Sequence, residues 1–269
     1  MNLFSDYVKE LRASGRRHFT LEDGISDLGI TRKNLLSCIG RLKKRGEIFS
    51  PAKGLYIIIP PEHYNLGAIP AAEIIPILMQ YWQISYYVGL TTAAMYHGAS
   101  HQKPQVFQIV TNKQISRQLI FGKIKTECIY KKGLAELPTK DVIVETGYLK
   151  VSSAEVTAMD LLLYSTRSGG LNHIATILTE LVEEIDPIRL ISLINTTKEK
   201  AWVQRLGYIL DKVEVLDEIK KERLLKELKK YLYQRKIFYL PLAPEVPILG
   251  ASYCKKWMII ENAKIESDL

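Results

Sequence analysis

The stretch from Leu21 to Pro60 constrains the fold more than any other, because spacing, charge and turn chemistry there agree on one object. Thr20 stands as an N-cap before Leu21 to Leu28, with Asp23 at the capping-box position and Gly29 at the stop. After Ile30, Thr31 caps a second segment that runs from Arg32 to Arg45 and meets Gly46. At about 100° per residue, Leu35, Ile39 and Leu42 share one face of that segment, and Lys33, Ser37, Arg41 and Lys44 lie opposite. Gly40 borders the basic side, where it lowers helix stability by up to about 1 kcal/mol but permits close approach to a phosphate backbone. Glu47 to Ser50, a turn Pro51-Ala52-Lys53-Gly54, and Leu55 to Ile59 before Pro60-Pro61 then read as a β-hairpin with Lys53 at its tip. Helix, turn, helix and hairpin in this order predict a winged helix-turn-helix.

Such a module needs a helix narrow enough for the major groove, short polar side chains for base edges, and cations for phosphates. Lys33, Asn34 and Ser37 are the candidates for base-edge contacts. Arg32, Arg41, Lys43, Lys44, Arg45 and Lys53 are the candidates for phosphates or the minor groove. Taken alone, Arg41 to Arg45 also reads as a solvated cationic helix end stabilised by the macrodipole. The hairpin that follows favours DNA. Charge points the same way: the chain carries a formal +8, and residues 1–60 hold 11 Lys and Arg against 6 Asp and Glu, leaving 26 against 23 elsewhere. A localised basic field attracts polyanions and makes binding salt-sensitive.

Hydrophobic content of 47% over 269 residues supplies a sizeable core for one large or two ordinary domains. Pro60 to Gly67 is a loop by composition, so the expected domains are residues 1–62 and 66–269. Cys38, Cys128 and Cys254 are odd in number and lack ligand spacing, which argues against a disulfide framework or zinc site and for a reducing, cytoplasmic setting. We expect no signal segment, no membrane span, no metal and no cofactor: the apolar stretch from Ile69 to Leu78 is broken by Glu73 and Pro76, and no Gly-rich phosphate cradle is found.

Taken in order, Leu3, Tyr7, Val8 and Leu11 predict an opening amphipathic helix, and Arg16 to Phe19 a connector or short strand. Ile69 to Trp82 reads as a buried helix with Pro76 as a possible kink, Ile84 to Val88 as a strand, and Thr91 to Gly98 as a small-residue helix.

Here a family resemblance becomes visible. Arg41-Leu42-x-x-Arg45-Gly46-x-Ile48, Lys53-Gly54-Leu55-Tyr56 and Tyr87-x-Gly89-Leu90-Thr91-Thr92-Ala93-Ala94-x-x-His97-Gly98 together resemble the AbiEi family of bacterial transcriptional regulators and antitoxins. Ser152 to Leu162 resembles its serine-capped helix, although Val156 stands where many relatives carry Arg. Arg205 to Leu210, Tyr239 to Leu242 and Lys256 to Asn262 extend the match over nearly the whole chain. The resemblance implies a type IV toxin–antitoxin (abortive infection) pair. In it the chain represses its own operon through inverted repeats in double-stranded DNA, and its larger domain opposes a nucleotidyltransferase toxin without a tight inhibitory complex.

Beyond His97, Val106 to Val110, Ile124 to Tyr130 and Asp141 to Glu145 read as strands of a small sheet. Lys113, Arg117, Lys123, Lys125, Lys131 and Lys132 form a second basic region, read either as a lysine-protected sheet edge or as a further nucleic-acid contact. Asp141 and Glu145 on one side of a strand raise the alternative of a Mg²⁺-dependent nuclease, weakened by the absence of a nearby lysine. His97 and His101 stand four apart, but Gly98 breaks the helix between them. Ser152 with Glu155 matches a capping box for a helix from Ser153 to about Tyr164, and Asp160 within it calls for a structural hydrogen bond. From Leu171 the chain is almost all helical: Ile174 to Glu184, Pro187 to Ile194, Glu199 to Val215, and Glu218 to about Tyr233 with Leu225, Leu228 and Leu232 as its dry side. Pro241, Pro244 and Pro247 stiffen a loop before a last strand around Trp257 to Ile260. The expected fold is therefore mixed α/β: a winged helix-turn-helix, then an α/β domain with a small sheet and a C-terminal helical bundle. A ligand-sensing repressor without a toxin partner is the second functional reading.

Overall fold

The computed structural model describes residues 3–100, 104–197, 199–235 and 237–265. The fold is mixed α/β and divides into two compact units.

The first unit comprises Met1–Tyr87, Gln105–Ala135 and Asp141–Lys150. It opens with α1 (Leu3–Ala13), β1 (His18–Thr20), α2 (Leu21–Leu28), α3 (Arg32–Lys44), β2 (Ile48–Ala52) and β3 (Leu55–Ile58). The caps are those the sequence predicts. Thr20 Oγ1 accepts from the Asp23 amide at 3.0 Å while the Asp23 carboxylate accepts from the Thr20 amide at 2.9 Å, and Gly29 ends α2 in the left-handed region. The three strands form an antiparallel sheet in the order β1-β3-β2, with Phe19 opposite Tyr56 and Ile48 opposite Ile58. The order is thus helix, strand, two helices and a hairpin around one core. That core joins Phe4, Tyr7, Val8 and Leu11 of α1 to Phe19, to Leu35, Ile39 and Leu42 of α3, and to Tyr56. Phe19 is fully buried, stacked on Tyr56 and edge-on to Phe4 and Tyr7. The hairpin turn is shorter than expected, because Pro51 and Ala52 belong to β2 and only Lys53-Gly54 closes it. Proline is tolerated there because β2 is an edge strand, where a missing N–H removes no ladder bond.

A 3₁₀ turn (Pro61–Leu66) leads to α4 (Ala71–Trp82), β4 (Tyr86–Val88), β5 (Phe107–Thr111), β6 (Gln118–Phe121) and β7 (Ile124–Tyr130). With β8 (Thr139–Val144) and β9 (Gly147–Ser152) these strands make a six-stranded sheet in the order β6-β7-β5-β4-β9-β8, β5 being parallel and β6 antiparallel to β7. Compactness divides the chain otherwise than a boundary at residues 62–66 does. Phe49 of β2 packs against Phe121 at 6.3 Å, and Arg17 pairs with Glu73 of α4, tying the N-terminal segment to later elements of the same unit.

The second unit comprises Val88–Pro104, Glu136–Lys140 and Val151–Leu269. It holds α5 (Leu90–Tyr96), α6 (Ala154–Leu163), α7 (Gly170–Leu181), α8 (Pro187–Thr196), α9 (Ala201–Lys212) and α10 (Glu218–Tyr233). A small sheet of β10 (Leu240–Pro241), β11 (Ser252–Cys254) and β12 (Ile259–Glu261) follows, in the order β10-β12-β11. Helix α6 is buried from Ala154 to Leu162 and touches α5, α7, α8 and α9, so it forms the centre of the bundle. Its cap falls one residue later than the capping-box reading. Ser153 accepts from the Val156 amide, whereas the Ser152 hydroxyl is bound to Thr157 Oγ1 at 2.7 Å and the Glu155 carboxylate accepts from the Asp186 amide at 2.9 Å. Asp160 is fully buried within the same helix. The dry side of α10 is Leu224, Leu228, Tyr231 and Leu232; Leu225 is only half-buried. Gln204 of α9 clamps the C-terminal sheet, its Nε2 donating to the carbonyls of Phe238, Trp257 and Met258 at 3.1, 3.3 and 2.9 Å.

Candidate nucleic-acid interface

Helix α3 has one dry and one wet side for a simple reason. Burying Leu35, Ile39 and Leu42 against α1, α2 and the sheet leaves every third or fourth position between them facing water. Arg32, Lys33, Asn34, Ser37, Arg41, Lys43, Lys44 and Arg45 are all exposed, and so is Lys53 at the hairpin turn. At about 100° per residue, Lys33, Asn34, Ser37, Arg41 and Lys44 point away from the core, while Arg32 and Lys43 fall on the flank beside the exposed Leu36. Thr31 caps the helix, its hydroxyl accepting from the Asn34 amide at 3.4 Å.

Two cations on this face have partners within the chain. Arg41 Nη2 donates to Cys38 Sγ at 3.1 Å, and Arg45 Nε lies 2.7 Å from Glu47 Oε1. Burial raises the Tyr56 hydroxyl above the ordinary tyrosine range, and the Arg32 charge opposes that rise. The hairpin turn has contacts that sequence reasoning missed. Tyr81, in the last turn of α4, donates its hydroxyl to the Lys53 carbonyl at 2.9 Å, and the Leu21 amide donates to the Gly54 carbonyl at 2.8 Å. No local pattern announces a tyrosine that acts 28 residues away in the chain.

The carboxylates of the nuclease alternative are placed differently from that reading. Asp141 is exposed on β8, but Glu145 lies beyond the end of that strand and pairs with Arg17. Arg17 also holds Glu73 at 3.0 Å. Burial lifts the Glu73 carboxyl above its usual range against the pull of Arg17. A guanidinium, rather than an open ligand position, therefore faces Glu145. Among the described residues no cluster of three or more His, Cys, Asp and Glu could hold a metal ion. His97 Nε2 lies 2.8 Å from the Ser152 carbonyl and Nδ1 lies 3.1 Å from Lys140 Nζ. With the Lys140 ammonium donating to Nδ1, the Nε2 N–H donates to Ser152. Burial lowers the His97 pKa, and Lys140 adds to that lowering. His101, its proposed partner, lies outside the described residues. In the second basic region Lys113 donates to the Gln83 carbonyl and Arg117 lies 3.7 Å from Glu127, while Lys123, Lys125 and Lys132 are exposed.

Residues 87–212, from β4 to the end of α9, match the model of the AbiEi antitoxin C-terminal domain. The segment belongs to the AbiEi antitoxin family. The matched part contains the Tyr87 to Gly98, Ser152 to Leu162 and Arg205 to Leu210 motifs. Among solved structures, the RV2827C protein from Mycobacterium tuberculosis is similar in fold over 97% of this chain and 91% of its own, with 16% identity and a TM-score of 0.67. A nucleotidyltransferase-like protein from Paracoccidioides brasiliensis aligns with 59% of this chain and 90% of its own, at 13% identity and a TM-score of 0.35. The antibiotic-resistance factor ANT(2'')-Ia aligns with 44% and 84%, at 11% identity and 0.31. These two alignments are too loose to place a common fold. Among the curated proteins none matches the chain. No helix among the described residues is long and apolar enough to cross a membrane.

Proposed function

We propose that this AbiEi-family chain is a cytoplasmic antitoxin that represses its own operon and opposes a nucleotidyltransferase toxin. One observation carries the DNA half of the reading: α3 turns an exposed cationic face outward over a packed core, with a hairpin ending in Lys53 in the same small fold. Residues 1–62 would act as the reading module and residues 66–269 as the antitoxin part. Lys33, Asn34 and Ser37 meet base edges, and Arg32, Arg41, Lys43, Lys44, Arg45 and Lys53 meet phosphates or the minor groove. The operator is duplex DNA with inverted repeats in the chain's own promoter. Membership of the antitoxin family supports the second half of the reading.

Fluorescence anisotropy with labelled duplex from upstream of the gene, against a shuffled duplex over a salt series, tests the first half. Preference for the native duplex at physiological salt supports a sequence-reading repressor; equal and steeply salt-dependent binding to both removes it. Co-expression with a nucleotidyltransferase toxin tests the second half. Restored growth supports antitoxin action, and growth arrest unchanged by the chain overturns it.

A further inference from the structure

A wing can contribute to DNA binding only if its tip is held at a definite place relative to the recognition helix, and here the strand ladder alone does not hold it. The β2–β3 register shifts between Phe49 and Ala52, so the outer part of β2 leaves regular pairing before Ala52 meets Leu55. Two hydrogen bonds from outside the hairpin replace that support. The Leu21 amide, at the start of α2, holds the Gly54 carbonyl, and the Tyr81 hydroxyl, at the end of α4, holds the Lys53 carbonyl. Both carbonyls of the two-residue turn are thus tied, one to each neighbouring helix, while the Lys53 side chain is left exposed. The fit at the turn is close. Gly54 has φ +84°, and a Cβ there would lie 2.9 Å from the Tyr81 oxygen.

We propose that Tyr81 is a positioning residue for DNA binding, holding the Lys53–Gly54 turn so that Lys53 reaches the phosphate backbone of the duplex beside the segment met by α3. The inference rests on the DNA-binding reading above. Tyr81 acts through the backbone of Lys53 and needs no contact with DNA itself. Its effect is pre-organisation: a lysine on a fixed turn loses less freedom on binding than one on a free loop.

The test is a double-mutant cycle in the full chain, with Tyr81→Phe, Lys53→Ala and the pair, read as affinity for the upstream duplex and as its salt slope. Tyr81→Phe keeps the ring and removes only the hydroxyl. It should weaken binding by roughly two- to tenfold, the factor for one net hydrogen bond. The double variant should bind no more weakly than Lys53→Ala alone, because the hydroxyl has nothing left to position. Lys53→Ala should also flatten the salt slope by about one phosphate contact. A Tyr81→Phe loss that adds in full to the Lys53→Ala loss, or wild-type affinity for Tyr81→Phe, overturns the proposal while leaving DNA binding intact. Failure of the DNA-binding reading would look different: the wild-type chain would show no preference for its own duplex.

Discussion

A methyl group placed on Gly207 would come within 2.2 Å of the Trp257 ring, so the bare backbone of α9 is the surface on which that indole rests. Trp257 is fully buried, and its Nε1 donates to Asp211 Oδ2 at 3.0 Å. The clash is with ring atoms, which have no flexible end to move aside. Gly207→Ala should therefore destabilise the second unit by about 2 kcal/mol or more, even though alanine is the better helix former. Urea unfolding followed by Trp fluorescence measures this, and an unchanged midpoint would show that the indole can be reseated.

Arg41 and Lys44 lie on the outward face of α3, away from Leu35, Ile39 and Leu42. Replacing both with Ala should lower affinity for the upstream duplex by at least about tenfold. The slope of log affinity against log salt should fall by roughly two, because two phosphate contacts are removed. Unaltered affinity and slope at matched salt would take α3 out of the interface.

Arg17 is the counter-charge for Glu73, whose side chain is only 8% exposed. Arg17→Ala should destabilise the first unit by about 2 kcal/mol at neutral pH, since a buried carboxylate is left without its cation. The sign with pH follows from the raised Glu73 pKa. A carboxyl raised on folding contributes stability below its unfolded value, 4.5, and that contribution is lost as pH rises through the folded value. Arg17→Ala pushes the folded value higher, so the variant should lose least near pH 4 and most at pH 7. Denaturant midpoints at the two pH values decide it, and an equal loss at both would mean that Arg17 acts by packing.

His97 has a pKa below 6.5, set first by burial, with the Lys140 charge in the same direction. The Ser152 carbonyl, Glu184 and Glu155 pull the other way without reversing it. A depressed pKa gives stability that is full above 6.5 and is lost as pH falls through the folded value, because the unfolded chain binds the proton first. The stability of the second unit should decline from pH 7 toward pH 5, and His97→Gln should flatten that decline. A decline of the same steepness in the variant would assign it to other groups.

Much of the candidate interface was legible because its determinants lie within four residues of one another. The Thr20–Asp23 capping box, the Thr31 cap, the dry face of α3 and the span of α10 all follow from periodicity and local hydrogen bonding. Where local reasoning failed, a distant partner had claimed a group that the local pattern also wanted. Ser152 lost the capping role because Thr157 holds its hydroxyl, and Glu155 because the Asp186 amide holds its carboxylate. Strands β6 and β9 went unread, since each is recognisable only beside the strand it pairs with.

The chain alone determined where α2, α3 and α10 begin, which side of α3 is dry, and which cations face water. Propensity, capping and periodicity act over a few residues and are written in the order of the residues themselves. Only the tertiary structure decided that Tyr81 braces the turn at Lys53, that Arg17 joins Glu73 to Glu145, and that Gly207 receives Trp257. Those pairs are 28 to 128 residues apart, and their meeting depends on how whole elements pack, which no short window of sequence contains.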